Sequence, residues 1–176
     1  MELTLPDGSS AVADLRRRQD KEALVHGPLK QWILRGSGPL QSQLLASLHN
    51  TFLGPSPEAL AAALYMPRAA WSQLVQGGSQ VEAHGHSHRL LTTLTDAQID
   101  QELTTCLASL KRYAGDTHCF AYPDGACDAR VAARVAASGL AGALGVLPGD
   151  VTATSDPFHL PRYFVTGGLQ LGELLQ

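Results

Sequence analysis

Apolar and polar positions divide this chain into short periodic stretches separated by turn signals. Met1 to Thr4 alternate in type and run into Leu5-Pro6-Asp7-Gly8-Ser9-Ser10, which predicts a strand ending in a turn. From Ala11 to about Leu34 the pattern is helical but mixed, with a break near Gly27-Pro28. Its basic knot, Arg16-Arg17-Arg18, reads as a solvated helix face. Leu40 to Leu48 again carries apolar residues at helical spacing, and Asn50 to Pro55 predicts a short strand closed by Gly-Pro. Two helices follow, Pro57 to Tyr65 with proline in its first turn and Arg68 to Gln76 stopped by Gly77-Gly78.

The strongest periodicity comes later. Thr95 is a capping residue for a long amphipathic helix to about Tyr113, in which Ile99, Leu103, Leu107 and Leu110 recur at threes and fours. Cys119 to Tyr122 predicts a strand turned by Pro123-Asp124-Gly125, and Asp128 to Ser138 a helix closed by Gly139. Leu140 to Leu147 and Leu160 to Val165 predict two more strands, and Leu169 to Leu174 a final short helix. Strand and helix alternate without repeats, which implies an α/β fold whose parallel strands present their C-terminal ends on one rim. Asp7, Pro123-Asp124 and Arg162 fall at or near such ends.

Between the periodic stretches lies Val81 to Thr95, with His84, His86 and His88 at alternate positions. Side chains two apart on an extended segment project to one side, so three imidazoles could face one pocket. Imidazole is both a common metal ligand and a common proton carrier, so a metal or catalytic role is expected.

Bulk composition narrows the field. At 176 residues one domain with one sizeable core is expected across 1–176. A net charge of -3 leaves no basic footprint for nucleic acid. No run approaches the roughly 18 apolar residues of a membrane span. The N-terminus carries no signal-peptide pattern, so the expected location is cytoplasmic or unknown. Cys106, Cys119 and Cys127 are an odd set without CxxC spacing and are expected to be reduced thiols.

Several of these motifs, taken in order, resemble the polysaccharide deacetylases of the NodB homology type, metal-dependent carbohydrate esterases. The likeness is densest from 66 to 165. His84-Gly85-His86-Ser87-His88 matches the family's second motif, His-x-x-Ser/Thr-His, and Trp71 to Glu82 is similar to its lead-in. Phe120-Ala121-Tyr122-Pro123-Asp124-Gly125 resembles the third motif, and Asp156-Pro157 with Leu160-Pro161-Arg162 the segment after it. The resemblance implies a distorted, incomplete (β/α) barrel that binds a divalent metal, most often Zn²⁺, and removes acetyl groups from an N- or O-acetylated sugar or polysaccharide. It implies His84 and His88 as metal ligands, a backbone N–H at Asp124 as oxyanion donor, and Arg162 as the arginine that orients a carboxylate.

The match is uneven elsewhere. The first family motif, Thr-Phe-Asp-Asp-Gly, has its best counterpart in Leu3 to Gly8, which keeps Asp7 as metal ligand but puts Pro6, unable to transfer a proton, where the general base belongs. Asp124 stands where the third motif usually has an aromatic, and its carboxylate is a candidate base. His86 occupies a variable position and is a candidate acid or base. The late Leu-x-His motif has no counterpart after Val165, and His159 stands in a different context. The alternative expectation is therefore a catalytically impaired relative that binds a metal or a glycan.

Overall fold

The computed structural model describes residues 2–4, 8–35, 38–163 and 165. The chain divides into two compact units, Met1–Met66 and Pro67–Gln176.

The first unit opens with an antiparallel pair, β1 (Glu2–Thr4) and β2 (Ser10–Val12), with Leu3 opposite Ala11. The segment from Arg18 to Arg35 is helical as expected, and kinks where expected. α1 (Arg18–Leu24) passes through a π-helical turn, Val25–Leu29, into α2 (Lys30–Arg35). Gly27 there has φ -95° and ψ -113°, and Pro28 lacks the N–H an α-helix would use. The basic knot lies on the surface, where Arg18 pairs with Glu22 and Arg16 with Asp14. α3 (Gly38–Phe52) then runs through the segment expected as a strand. Its helical pattern persists because Thr51 bonds back to the Ser47 carbonyl at 2.8 Å and Leu53 N–H to that of His49 at 2.9 Å. Chain-breaking Gly54-Pro55 comes only afterwards. α4 (Pro57–Leu64) is capped by Ser56, whose hydroxyl accepts from Ala59 N–H.

The second unit holds the larger core. After a 3₁₀ turn at Arg68–Ala70, α5 (Trp71–Gln76) ends at Gly77, and Trp71 packs against that core. Four parallel strand positions follow in chain order. Ala83 pairs with Phe120 in β3 (Cys119–Ala121), β3 pairs with β4 (Gly142–Leu144), and Leu144 pairs with Leu160. The strand expected over Leu160 to Val165 is reduced to that single bridge, since Pro161 has no N–H to extend the ladder. The helix expected over Leu169 to Leu174 lies outside the described residues.

Helices α6 (Asp96–Tyr113) and α7 (Ala129–Ala137) connect these positions, as in an incomplete (β/α) barrel. α6 begins with a capping box between Thr95 and Gln98, and buries Ile99, Leu103, Cys106 and Leu110 in one stripe. α7 buries Val131 and Val135. Arg130 binds Asp96 at 2.8 Å and the Leu94 carbonyl at 3.0 Å, while Arg134 grips Asp100, so the two helices lie locked side by side over Ala83, Phe120 and Ala143. None of the described helices is long and apolar enough to cross a membrane. The three cysteines are free thiols.

Candidate active site

Parallel pairing puts the residues that follow Ala83, Ala121, Leu144 and Leu160 at one end of the sheet. His84 directly follows Ala83. Its Nδ1 lies 2.7 Å from the Ala121 carbonyl oxygen, an acceptor only. In the neutral ring Nδ1 must therefore carry the hydrogen, and Nε2 is left with a free lone pair.

The loop beyond does not stay extended. Gly85 has φ 85° and His88 φ 57°, so the chain folds back and brings the His84 and His88 rings to 4.9 Å between centroids, at 72° to each other. The expected alternation of three rings toward one pocket gives way to a pair. His86 is exposed, and a cleft of about 240 Å³ bordered by Trp71, Cys106 and Leu110 reaches its position and Gly85.

Two groups on α6 support this loop. Glu102 accepts from His86 N–H at 2.9 Å, from Ser87 N–H at 2.8 Å and from the Ser87 hydroxyl at 2.6 Å. Burial acts to raise its pKa, but the Ser87 hydroxyl, the two N–H groups and the nearby His86 outweigh it and hold the carboxyl below its ordinary value. One turn on, burial pushes the Cys106 thiol up, opposed by the backbone N–H groups of His84 and Gly85. Sequence reasoning missed Glu102. Its signal was a carboxylate set on the apolar stripe of an amphipathic helix, between Ile99 and Cys106, where burial demands partners.

The third-motif turn adjoins the same loop. Pro123 lies against Gly85, where an added Cβ would sit 3.6 Å from the proline ring. Pro123–Gly125 is a 3₁₀ turn in which Asp124 adopts φ 54° and ψ 15° and stays exposed. Behind it the buried Tyr122 donates its hydroxyl to the Phe158 carbonyl at 2.7 Å. Arg162, two residues past the Leu160 bridge, donates its backbone N–H to the Leu147 carbonyl at 3.0 Å. Its side-chain Nε is buried without a hydrogen-bond partner among the described residues.

No group of three or more histidine, cysteine, aspartate or glutamate side chains is gathered for a metal among the described residues, and Asp7 lies outside them. What the described residues offer is a pair of imidazoles, one with its tautomer fixed by a carbonyl. That donor chemistry fits a divalent transition metal as part of its ligand set.

Residues 59–143, a little under half of the chain, match the family model described as polysaccharide deacetylase. Among solved structures, the deacetylase PplD of Streptococcus pyogenes, determined in complex with acetate, aligns with a TM-score of 0.62 at 17% identity, over 66% of this chain and 52% of that one. A polysaccharide deacetylase from Bacillus cereus aligns at 0.59 and 16% identity, over 81% and 48%. The BpsB deacetylase domain of Bordetella bronchiseptica aligns at 0.50 and 20%, over 58% and 51%. This chain thus spans about half the length of the solved structures it matches. No curated protein matches it. Residues 59–143 thus match the polysaccharide deacetylase family model, and the fold is the one shared by solved polysaccharide deacetylases.

Proposed function

We propose that this chain hydrolyses acetyl groups from an N- or O-acetylated carbohydrate with a divalent metal, most simply Zn²⁺, held by His84 and His88. The observation that carries the reading is the approach of the two rings, with His84 Nδ1 committed to the Ala121 carbonyl and Nε2 left to bind. The chemistry a metal held by His84 and His88 would supply is Lewis acidity, which would lower the pKa of a water and polarise the acyl carbonyl. Hydrolysis adds water across the amide or ester bond, releasing acetate and a free amine or hydroxyl.

The remaining roles fall to residues that the family resemblance singles out. Asp7 is the third ligand suggested by the first motif. Asp124 is the candidate for the backbone N–H that meets the developing oxyanion, and its carboxylate is a candidate base. Arg162, with Nε lacking a partner among the described residues, is suited to orient a carboxylate. His86, exposed on the histidine loop, is a candidate acid or base. The single domain expected across 1–176 and a cytoplasmic location belong to the same proposal.

Chelation should abolish hydrolysis of an acetylated chitooligosaccharide, and added Zn²⁺ should restore it. His84→Ala and His88→Ala should each remove both Zn²⁺ affinity and turnover. Pro6 at the general-base position favours a second reading, a catalytically impaired relative that binds a metal or a glycan. Zn²⁺ affinity that depends on His84, without turnover under any metal, would select it. Zn²⁺ affinity unchanged in both histidine variants would sink both readings of the site.

A further inference from the structure

The histidine loop leans on α6 more than on itself. From His84 to Arg89 no backbone–backbone hydrogen bond is made among the described residues. The loop's polar groups turn instead to Glu102, whose Oε2 takes the N–H groups of His86 and Ser87 while Oε1 takes the Ser87 hydroxyl. Glu102 itself is fixed from elsewhere. Its helix is held by the Thr95–Gln98 capping box and by the buried residues Ile99, Leu103 and Cys106 on either side of it. A carboxylate anchored by the core therefore receives the backbone immediately before His88.

That position matters because His88 sits at φ 57°, where a non-glycine residue is strained and persists only if its surroundings over-determine it. His84 is set at one end of the loop by the Ala83 bridge and the Ala121 carbonyl. Among the described residues, nothing comparable is attached to the His88 ring except the His84 ring it meets. We infer that Glu102 is a positioning residue for the ligand pair, its carboxylate holding His86 and Ser87 so that the left-handed turn at His88 brings the second imidazole against the first. The inference rests on the reading of His84 and His88 as metal ligands. Glu102 touches neither ring and acts through the backbone between them.

The test is Zn²⁺ titration calorimetry on the full chain and its variants, beside urea unfolding of the same samples. Residues that orient metal ligands from outside the coordination sphere typically change affinity 10–100-fold, so Glu102→Ala should weaken Zn²⁺ binding by about 10–100-fold. Glu102→Gln keeps a carbonyl oxygen able to take both N–H groups, and should recover most of that loss. A purely structural role would instead lower the unfolding midpoint while leaving the affinity of the folded protein unchanged, and that result overturns the inference. So does a Glu102→Gln variant as weak as Glu102→Ala. His84→Ala separates the two levels. If it loses Zn²⁺ while Glu102→Ala keeps full affinity, the positioning role fails and the ligands stand. If His84→Ala binds Zn²⁺ as tightly as the parent, the ligand reading fails first. Should Glu102→Ala not fold, Ser87→Ala carries the test, since it removes one of the three bonds and should weaken binding severalfold; no change in Ser87→Ala overturns the inference.

Discussion

Gly125 gives the third-motif turn its sharpest sequence requirement, and Gly125→Ala measures it. The residue has φ 71°, a region in which a Cβ costs about 1–2 kcal/mol. A Cβ built there would lie 2.6 Å from Val146 Cγ1 and 2.9 Å from Val146 Cβ, with Cγ2 closer still. Carbon atoms rest at about 3.5–4.0 Å, so the loop bearing Val146 must move. Because the contact reaches Cβ, rotating the valine cannot relieve it. Forcing extra atoms into an occupied space costs about 1–3 kcal/mol. Alanine also restricts the unfolded chain, which returns about 0.4–1 kcal/mol. The net expectation is a loss of about 1–4.5 kcal/mol, a large part of the roughly 5–15 kcal/mol that holds a domain folded.

The assay is urea unfolding followed by tryptophan fluorescence in a Trp32→Phe background, so that Trp71, packed on the core of the second unit, is the reporter. Val146→Ala added to Gly125→Ala removes the two closest atoms and leaves the backbone strain and the Cβ contact at 2.9 Å. The double variant should therefore recover about 1–2 kcal/mol of the loss, roughly the overpacking share. A Gly125→Ala loss below about 1 kcal/mol would refute the steric argument, given that the φ cost alone reaches that size. Equal stability of the single and double variants would refute the assignment of the clash to Val146.

Other expectations follow from the same neighbourhood. Tyr122→Phe leaves the Phe158 carbonyl without its donor and should cost about 1–2 kcal/mol in the same unfolding assay; a variant as stable as the parent would show that the bond contributes nothing. Glu102 has a folded-state pKa below its ordinary value of 4.5, so its stabilising contribution is complete above about that pH and is lost as pH falls through the lower folded value. Acid unfolding of the parent and of Glu102→Gln should accordingly converge at the acid end and separate toward neutrality, and parallel curves would contradict the depressed pKa.

Much of this was legible where periodicity was long or a turn residue was decisive. α6 follows from Ile99, Leu103 and Leu110 behind a Thr95 cap, and the structure starts it at Asp96 with both halves of the capping box made. The kink at Gly27-Pro28 was equally plain, because proline removes a helix donor wherever it falls. The miss at Asn50 to Pro55 has a simple cause. Thr, Phe and Leu in succession suit a strand, but so short an apolar run cannot outweigh a helix already propagating from Gly38, which needs only one more bond per residue. The Leu160 strand failed for the opposite reason, a proline at its second position.

The candidate site was legible as residue types and not as geometry. Alternating histidines suggest an extended strand only if every residue between them keeps φ negative, and Gly85 and His88 do not. Among the described residues just two that are not glycine adopt a left-handed conformation, His88 and Asp124, and each lies in one of the two motifs that the family resemblance singled out. Backbone strain of this kind, about 1–3 kcal/mol per residue, survives only where neighbours hold it. At His88 the holder is Glu102, 14 positions along the chain and on a different element, and at Asp124 it is the turn between buried Pro123 and Gly125. His and Asp tolerate this region better than most non-glycine residues, but it remains a minority conformation for both, so propensity alone does not single out these two positions. The contacts that enforce them, long-range at His88 and local at Asp124, lie in the same places as the groups proposed for chemistry, which is the pattern expected when a fold spends stability to set the direction of a side chain.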